Sequence, residues 1–286
     1  MNGDFRFLVL VYLVLVSAFN AHRAEAGVVL QGGGAAFPYP LYAKWFAAFS
    51  EIDKGVDFNY QRVGSGEGQR LITNQLIDFG ASDAPMSSEA LANAPGKILH
   101  IPTVGGADVI IFNLHNVKEL QLDGPTLAAI YLGKITQWND PAIAKANPGV
   151  TLPATKIQPV VRSDGSGTTF VFTTHLSAIS DAWKNGPGAG KSVNFPSAVA
   201  GKGNPGVTAL IKETPGAIGY VEYGYAVQTK MPMATLQNKS GNYADVTPSL
   251  KPHGPSSHNS PQFLREGGDH ALSTCLAAAS TQERSR

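Results

Sequence analysis

The sequence predicts an α/β fold, in which strands and helices alternate along the chain. Short apolar stretches typical of buried strands alternate with stretches whose apolar residues recur at helical spacing. Three of the predicted strands run into a loop rich in glycine and then into a helix. With 286 residues, 43% of them hydrophobic, the chain is long enough for one or two domains with a sizeable core. Alternation of this kind, here without an internal repeat, is typical of α/β architecture.

Residues 1–26 have the pattern of a secretory signal peptide. Arg6 precedes a nearly continuous apolar run from Phe7 to Phe19, and Ala24-Glu25-Ala26 matches a cleavage site. The apolar run is short for a membrane span, and charged residues follow it closely. The only cysteine, Cys275, has no partner for a disulfide within the chain and lies far from the cleavage site. We therefore expect cleavage after residue 26 and a soluble, exported product without a lipid anchor.

The first two glycine loops lie in the N-terminal part of the mature chain. The first, residues 31–38, precedes a helix whose aromatic residues, Trp45 among them, we expect in the core. It lacks the third glycine of the dinucleotide-binding fingerprint because Phe37 stands there. In the second loop, residues 63–69, Ser65 is a candidate helix cap that faces a ligand. Both loops are candidates for anion binding at a helix N-terminus.

Asp83 follows the strand predicted over residues 76–82. Open α/β sheets bind ligands where their strands end, which favours a binding role for this carboxylate. Taken alone, the residue is explained better by an Asx turn ahead of the helix that begins near Ser87, because such turns are common. Further strands are predicted at 108–112 and 216–223, with a helix at 126–131.

The third glycine loop, residues 162–170, has the strongest anion-binding pattern. It joins a short strand to a helix, so backbone N–H groups and the positive end of the helix dipole point into the loop. Arg162 can supply a bidentate guanidinium, and Asp164 can hold that group in place. Glycines at 165 and 167 permit a positive φ and close approach of the main chain to a ligand. The remaining candidate donors are Ser166, Gly167 and Thr168.

Other interpretations of the third loop are open at this point. A nucleotide P-loop requires a Lys that is absent, and a hydrolase elbow requires an earlier Gly that is also absent. An ordinary helix capped by Ser166 accounts for the same residues without any ligand.

Charge and histidine spacing exclude two other classes of function. A net charge of +1 without a basic cluster argues against nucleic-acid binding. The histidines and Cys275 lack the spacing of zinc ligands, so we predict no metal site and no cofactor. Residues 251–286 are rich in Ser, Pro and Gly without clear periodicity, which predicts a disordered or aberrant tail.

Taken together, the motifs resemble those of the periplasmic phosphate-binding proteins of ABC-type phosphate uptake systems. The most specific matches are Asp78–Pro85, Asp164–Thr168 and Gly216–Tyr223 in combination. The matching stretches spread over nearly all of residues 28–250; they are residues 32–45, 59–72, 78–85, 122–148, 160–172 and 201–226.

The resemblance implies two α/β lobes with phosphate in the cleft between them. Lobe I would be residues 27–104 and lobe II residues 105–250. The phosphate ligands that it implies are the main chain near Ala36 and Phe37, together with Ser65, Asp83, Arg162, Ser166, Gly167 and Thr168, with Asp164 supporting Arg162. It also implies a periplasmic monomer that delivers inorganic phosphate to an inner-membrane ABC permease. Asp83, which can only accept hydrogen bonds, would then select a protonated phosphate over fully ionised sulfate.

Two departures from the family pattern qualify this expectation. Ala36 stands where the family usually has Thr, so a hydroxyl is lost while the main-chain N–H is kept. Family members also continue well beyond residue 250 to complete lobe I, and residues 251–286 do not match that segment. We therefore expect a fold whose C-terminal part is missing, with unpaired strand edges, lower stability and weak phosphate binding.

Two other functions compete with phosphate capture. A secreted phosphatase would use Ser166 or Ser65 as nucleophile, but neither residue has a clear general base beside it in the sequence. An extracellular adhesive or scaffold protein would not need three anion loops. We therefore expect a binding protein without enzymatic activity.

Overall fold

The computed structural model describes residues 27–244 and 272–280. The predicted signal peptide and the remaining tail residues lie outside the described residues. No helix in the described part of the chain is both long and apolar enough to cross a membrane.

The structure confirms the α/β fold. The helices are α1 (Tyr39–Ile52), α2 (Ser65–Thr73), α3 (Ser88–Ala92), α4 (Gly124–Tyr131), α5 (Pro141–Ala146), α6 (Gly167–Ile179), α7 (Asp181–Lys184), α8 (Gly203–Glu213) and α9 (Tyr223–Thr229). The strands are β1 (Val28–Gly34), β2 (Val56–Gln61), β3 (Phe79–Ser82), β4 (Ile98–Phe112), β5 (Gln121–Leu122), β6 (Gln158–Arg162), β7 (Val199–Gly201), β8 (Ala217–Glu222), β9 (Thr235–Gln237), β10 (Tyr243–Ala244) and β11 (Leu272–Ser280).

Eight of these strands form one sheet in the order β2-β1-β3-β11-β4-β8-β6-β7. The long strand β4 joins its two halves. From Ile98 to Ala107 it pairs with β11, and from Asp108 to Phe112 it pairs with β8. We call the half from β2 to β11 lobe I and the half from β8 to β7 lobe II. The predicted boundary between residues 104 and 105 falls within β4, which both lobes share.

The prediction of a disordered tail is wrong for residues 272–280. These nine residues form β11, which lies antiparallel between β3 and β4. The backbone groups of β3 and β4 need hydrogen-bond partners, and β11 supplies them. The expectation that no strand returns to lobe I fails with it. Three successive alanines, Ala277–Ala279, gave no strand signal, because alanine has a low β-propensity.

Lobe I packs α1 against the sheet through aromatic rings. Phe46 stacks on Phe58 with ring centroids 4.5 Å apart, and Tyr42 is buried beside Tyr60. The expectation that Trp45 lies in the core is wrong, since 45% of it is exposed. The helix turns Tyr42 and Phe46 toward the sheet, which leaves Trp45 at the rim.

Lobe II buries both faces of its sheet. Ile110 and Phe112 of β4 pack into one core cluster with Tyr220, while Val109 and Ile111 pack into the other. Because both faces are covered by helices, the strand is apolar throughout this stretch rather than alternating. The two cores hold β4, β6 and β8 in fixed positions, and the end of β6 carries part of the candidate site.

Candidate anion-binding site

The predicted ligand residues converge from both lobes. In lobe I they follow β1, open α2 and follow β3, and in lobe II they end β6 and open α6. Ala36, Phe37, Ser65, Asp83, Arg162, Ser166 and Thr168 are all at most 8% exposed. A cluster of buried polar side chains between two lobes is typical of a ligand cleft.

Ser166 is the N-cap of α6. Its hydroxyl accepts a hydrogen bond from the Thr169 N–H at 3.1 Å, and its own N–H donates to the Lys191 carbonyl at 2.8 Å. Gly167 and Thr168 then form the first turn, where backbone N–H groups have no intrahelical partner. This end of the helix is therefore arranged to receive an anion.

Gly167 is needed because it lets the two lobes come close together, and not because the backbone has a positive φ there. Neither Gly165 nor Gly167 has a positive φ, so that part of the expectation was wrong. A methyl carbon added to Gly167 would lie 2.5 Å from the Ser65 hydroxyl oxygen and 2.5 Å from the Asp83 Cβ. Only glycine lets α6 come this close to lobe I.

Arg162 is held as predicted by Asp164. Its Nε and Nη2 donate to the two oxygens of Asp164 at 2.9 and 2.5 Å, and its Nη1 donates to the Thr168 hydroxyl at 3.1 Å. Burial would raise the pKa of the Asp164 carboxyl, but Arg162 and the Gly203 N–H together hold that pKa below its ordinary value. The guanidinium is thus fixed in place, with its charge largely balanced by Asp164.

Ser65 and Asp83 form the facing wall in lobe I. The Ser65 hydroxyl accepts a hydrogen bond from the Asp83 N–H at 3.1 Å. The Thr168 hydroxyl of lobe II reaches Asp83 Oδ2 at 3.4 Å. The Ala36 carbonyl accepts from the Tyr225 hydroxyl at 2.7 Å, which ties the first glycine loop to α9.

Two further contacts join the lobes beside this cluster. The Gly66 N–H donates to the Gly165 carbonyl at 2.8 Å, so the second and third glycine loops touch directly. The Lys191 ammonium donates to the Gln69 side-chain carbonyl. The structure is therefore a closed form, in which the candidate ligand groups of both lobes lie against each other.

Two buried carboxyl groups near this cluster were missed from the sequence. Asp108 lies in β4 and is 8% exposed. Burial raises its pKa well above the ordinary value, and the charges of Asp83 and Glu222 raise it further, while Arg162 lowers it. Glu222 ends β8, and its pKa is raised to about 7, chiefly by burial. The sequence signal for Asp108 is a charged residue at the start of an apolar strand.

The chain matches the family model described as PBP superfamily domain over residues 21–254. It is 50% identical to a protein of Pasteurella multocida and 47% identical to one of Haemophilus influenzae, both named phosphate-binding protein PstS. These alignments cover 78% and 77% of this chain, but 64% and 65% of those relatives. The chain thus spans less than two thirds of the length of the relatives that it matches.

Solved structures agree on the fold. A phosphate-binding protein from Stenotrophomonas maltophilia superposes with a TM-score of 0.65 at 20% identity, covering 89% of this chain and 79% of that one. A substrate-binding protein of a phosphate ABC transporter from Clostridium perfringens, solved with bound phosphate, gives 0.62 at 19% identity, covering 90% and 89%. With the family model matching most of its length, the chain belongs to the PBP superfamily.

Proposed function

We propose that this chain captures inorganic phosphate in the periplasm and passes it to an ABC-type permease of the inner membrane. The observation that carries the proposal is that Arg162, the first turn of α6 and the Ser65–Asp83 pair form one buried cluster across the two lobes. The names of relatives at 47–50% identity support the choice of phosphate. A role as a monomer that presents phosphate to the permease is part of the same proposal.

The donor set suits an anion that must be bound and then released. Backbone N–H groups and hydroxyls supply dipoles, and the charge of Arg162 is largely balanced by Asp164. Such a site satisfies the oxygens of phosphate without a large excess of positive charge. Opening of the lobes about β4 would remove half of the donors at once, as in the hinge motion of binding proteins.

Asp83 supplies the selectivity in this proposal. A carboxylate accepts a hydrogen bond from the P–OH of hydrogen phosphate, whereas sulfate at neutral pH has no proton to donate. Sulfate would instead place a fully ionised oxygen against a buried negative charge. Asp83 is 5% exposed, so little solvent screens that repulsion.

The phosphatase alternative has no support from the serine contacts. The hydroxyls of Ser65 and Ser166 both accept hydrogen bonds from backbone N–H groups, at 3.1 Å in each case. These are structural and capping contacts rather than contacts to a general base. The relatives named above are described as binding proteins.

Calorimetric titration of the mature protein with phosphate and, separately, with sulfate tests the proposal. We expect saturable binding of one phosphate per chain and much weaker binding of sulfate. Incubation with a chromogenic phosphate ester should release no product. Equal binding of the two anions, or turnover of the ester, would contradict the proposed function.

A further inference from the structure

Asp108 is a buried carboxyl group that the proposed function does not use. It is 8% exposed, and neither carboxylate oxygen has a hydrogen-bond partner among the described residues. Burying an ionised carboxylate without a partner is costly, and natural proteins rarely retain one without a reason. A hydrophobic residue at this position would continue the apolar run of β4 from Val109 onward.

The strand register places a second carboxylate beside it. Asp108 of β4 lies directly opposite Glu222 of β8 in the antiparallel ladder. Side chains that are directly opposite share a face of the sheet, and like charges in such a pair destabilise each other. The next pair on this face is Ile110 with Tyr220, and the Tyr220 hydroxyl contacts Thr169 of α6 at 2.7 Å. The two carboxylates therefore lie on the face covered by the helix that begins at the anion loop.

Phe37 connects this face to the predicted ligand residues. A methyl carbon added to Gly106, two residues before Asp108, would lie 2.7 Å from the Phe37 ring and 3.6 Å from Glu222 Oε1. The first glycine loop of the candidate site thus packs against β4 at Gly106, and Glu222 lies beside the same position. Asp108 on the shared strand β4 and Glu222 on the neighbouring strand β8 therefore border the candidate site.

Titratable groups lie near Asp108 on several neighbouring elements. Glu222 and Tyr220 face it from β8, Asp83 from the loop after β3, and Arg162 from β6. Tyr225 of α9 lies near Glu222. The paired strand β11 has Cys275 as its only titratable residue. Of the cations in the described residues, Arg162 acts on Asp108, and Asp164 already holds it; Arg62 acts on Tyr225.

We propose that Asp108, together with Glu222, makes anion binding depend on the uptake of a proton from solvent. This inference rests on the proposed function and adds a pH dependence to the same site. An entering phosphate brings negative charge close to two buried carboxylates that already repel each other. Adding one proton to the Asp108–Glu222 pair removes that repulsion and lets the anion enter a less negative site.

The sign of the pH dependence follows from this linkage. The anion stabilises the protonated pair, so the pair holds more protons in the bound state than in the free state. Phosphate affinity is therefore highest at low pH. It falls as pH rises from the pKa values that the pair has without phosphate to the higher values that it has with phosphate bound. Glu222 has a pKa of about 7 without ligand, and that of Asp108 is raised as well, so the fall begins near neutral pH.

Calorimetric titration of the full mature chain with inorganic phosphate tests the inference. At about pH 8.5 dissolved phosphate is almost entirely the dianion, so a proton taken up from solvent on binding is accepted by a group in the site and does not reflect a change in the ionisation of free phosphate. Titrations in two buffers of different ionisation enthalpy give the number of protons taken up. We expect up to one proton for the unchanged protein and an affinity that falls by up to about tenfold per pH unit above neutrality.

Asp108→Asn keeps the shape of the side chain but cannot take up the proton. We expect it to bind phosphate more tightly than the unchanged protein at about pH 8.5, with lower proton uptake and a flatter pH profile. The matched control is Asp57→Asn, which changes an exposed aspartate of β2 and should leave all three quantities unchanged. The ionisation of free phosphate affects every variant equally, so it cancels when the affinities of two variants are compared as a ratio.

The outcomes separate this inference from the proposed function. Absence of phosphate binding at any pH would contradict the proposed function. Phosphate binding without proton uptake, or with an uptake that Asp108→Asn leaves unchanged, would overturn the inference alone. If Asp108→Asn does not fold, Glu222→Gln and the two-buffer measurement on the unchanged protein decide the matter in the same way. The described residues contain no group of acidic, His or Cys side chains able to hold a metal ion, so added chelator should not change the result.

Discussion

A single methyl group on Gly167 should keep the two lobes apart. In the closed form the added carbon would lie 2.5 Å from Ser65 Oγ and 2.7 Å from Asp83 Oδ2, both in lobe I. Carbon atoms normally keep about 3.5–4.0 Å from their neighbours, so the lobes would have to separate by roughly 1 Å. Gly167 has no positive φ, and alanine is the better helix former, so lobe II itself should tolerate Gly167→Ala.

The expected loss of affinity follows from the donors that separation removes. We take the anion to stay bound to lobe II and to lose two hydrogen bonds from lobe I. Each hydrogen bond to a charged partner contributes about 1.5–3 kcal/mol. The sum, about 3–6 kcal/mol, corresponds to a dissociation constant at least about 100-fold higher. The thermal stability of the protein without ligand should change little by comparison.

Calorimetry and thermal melts with and without phosphate measure the two effects separately. The matched control is Gly165→Ala, in the same loop, whose added carbon would lie 3.5 Å from Gly66 Cα, an ordinary contact. We expect Gly165→Ala to bind phosphate nearly normally. Unchanged phosphate affinity in Gly167→Ala would refute the closed-cleft account, as would an equal loss in both variants.

Three further predictions concern the charged residues of the site. Asp83→Asn should narrow the difference in affinity between phosphate and sulfate, because an amide can donate a hydrogen bond as well as accept one. Competition between the two anions measures this difference, and unchanged selectivity would exclude Asp83 as its source. Arg162→Ala should weaken phosphate binding more than Ser65→Ala, since a charge-assisted hydrogen bond contributes about 1.5–3 kcal/mol and a neutral one about 0.5–1.5 kcal/mol. A larger loss of affinity in Ser65→Ala, measured by calorimetry, would contradict the role given to Arg162. The pKa of Asp164 is lowered in the folded protein, so its pairing stabilises the fold above its ordinary pKa and that contribution is lost as pH falls through the lowered value. The unchanged protein should accordingly melt at a higher temperature than Asp164→Asn at neutral pH, with a difference that shrinks in acid; a difference independent of pH would contradict the ion pair.

The parts of the site that the sequence predicts are those encoded locally. A strand, a loop of glycine and hydroxyl residues, and a helix start occupy about a dozen consecutive positions, so the Ser166 cap and the Arg162–Asp164 pair follow from residues next to each other. The assignment of Ser65 and Asp83 as ligands stays a prediction. The structure adds that the two residues contact each other and that Asp83 also contacts Thr168.

Features that depend on distant pairing were not predictable in the same way. The repulsion between Asp108 and Glu222 arises only from the register of β4 with β8, which joins residues more than 100 positions apart. The strand β11 forms because β3 and β4 leave a place between them, and its own residues carry little strand signal. Trp45 has helical spacing like its neighbours, yet the orientation of α1 on the sheet decides that it is exposed. Tertiary context overrode the local pattern in each case.

A crystal structure of this protein grown with phosphate would show where the anion binds. We expect one phosphate between the lobes, within hydrogen-bond distance of Ser65, Asp83 and Arg162 and of the first turn of α6. Phosphate bound to one lobe only, or at a place away from these residues, would contradict it.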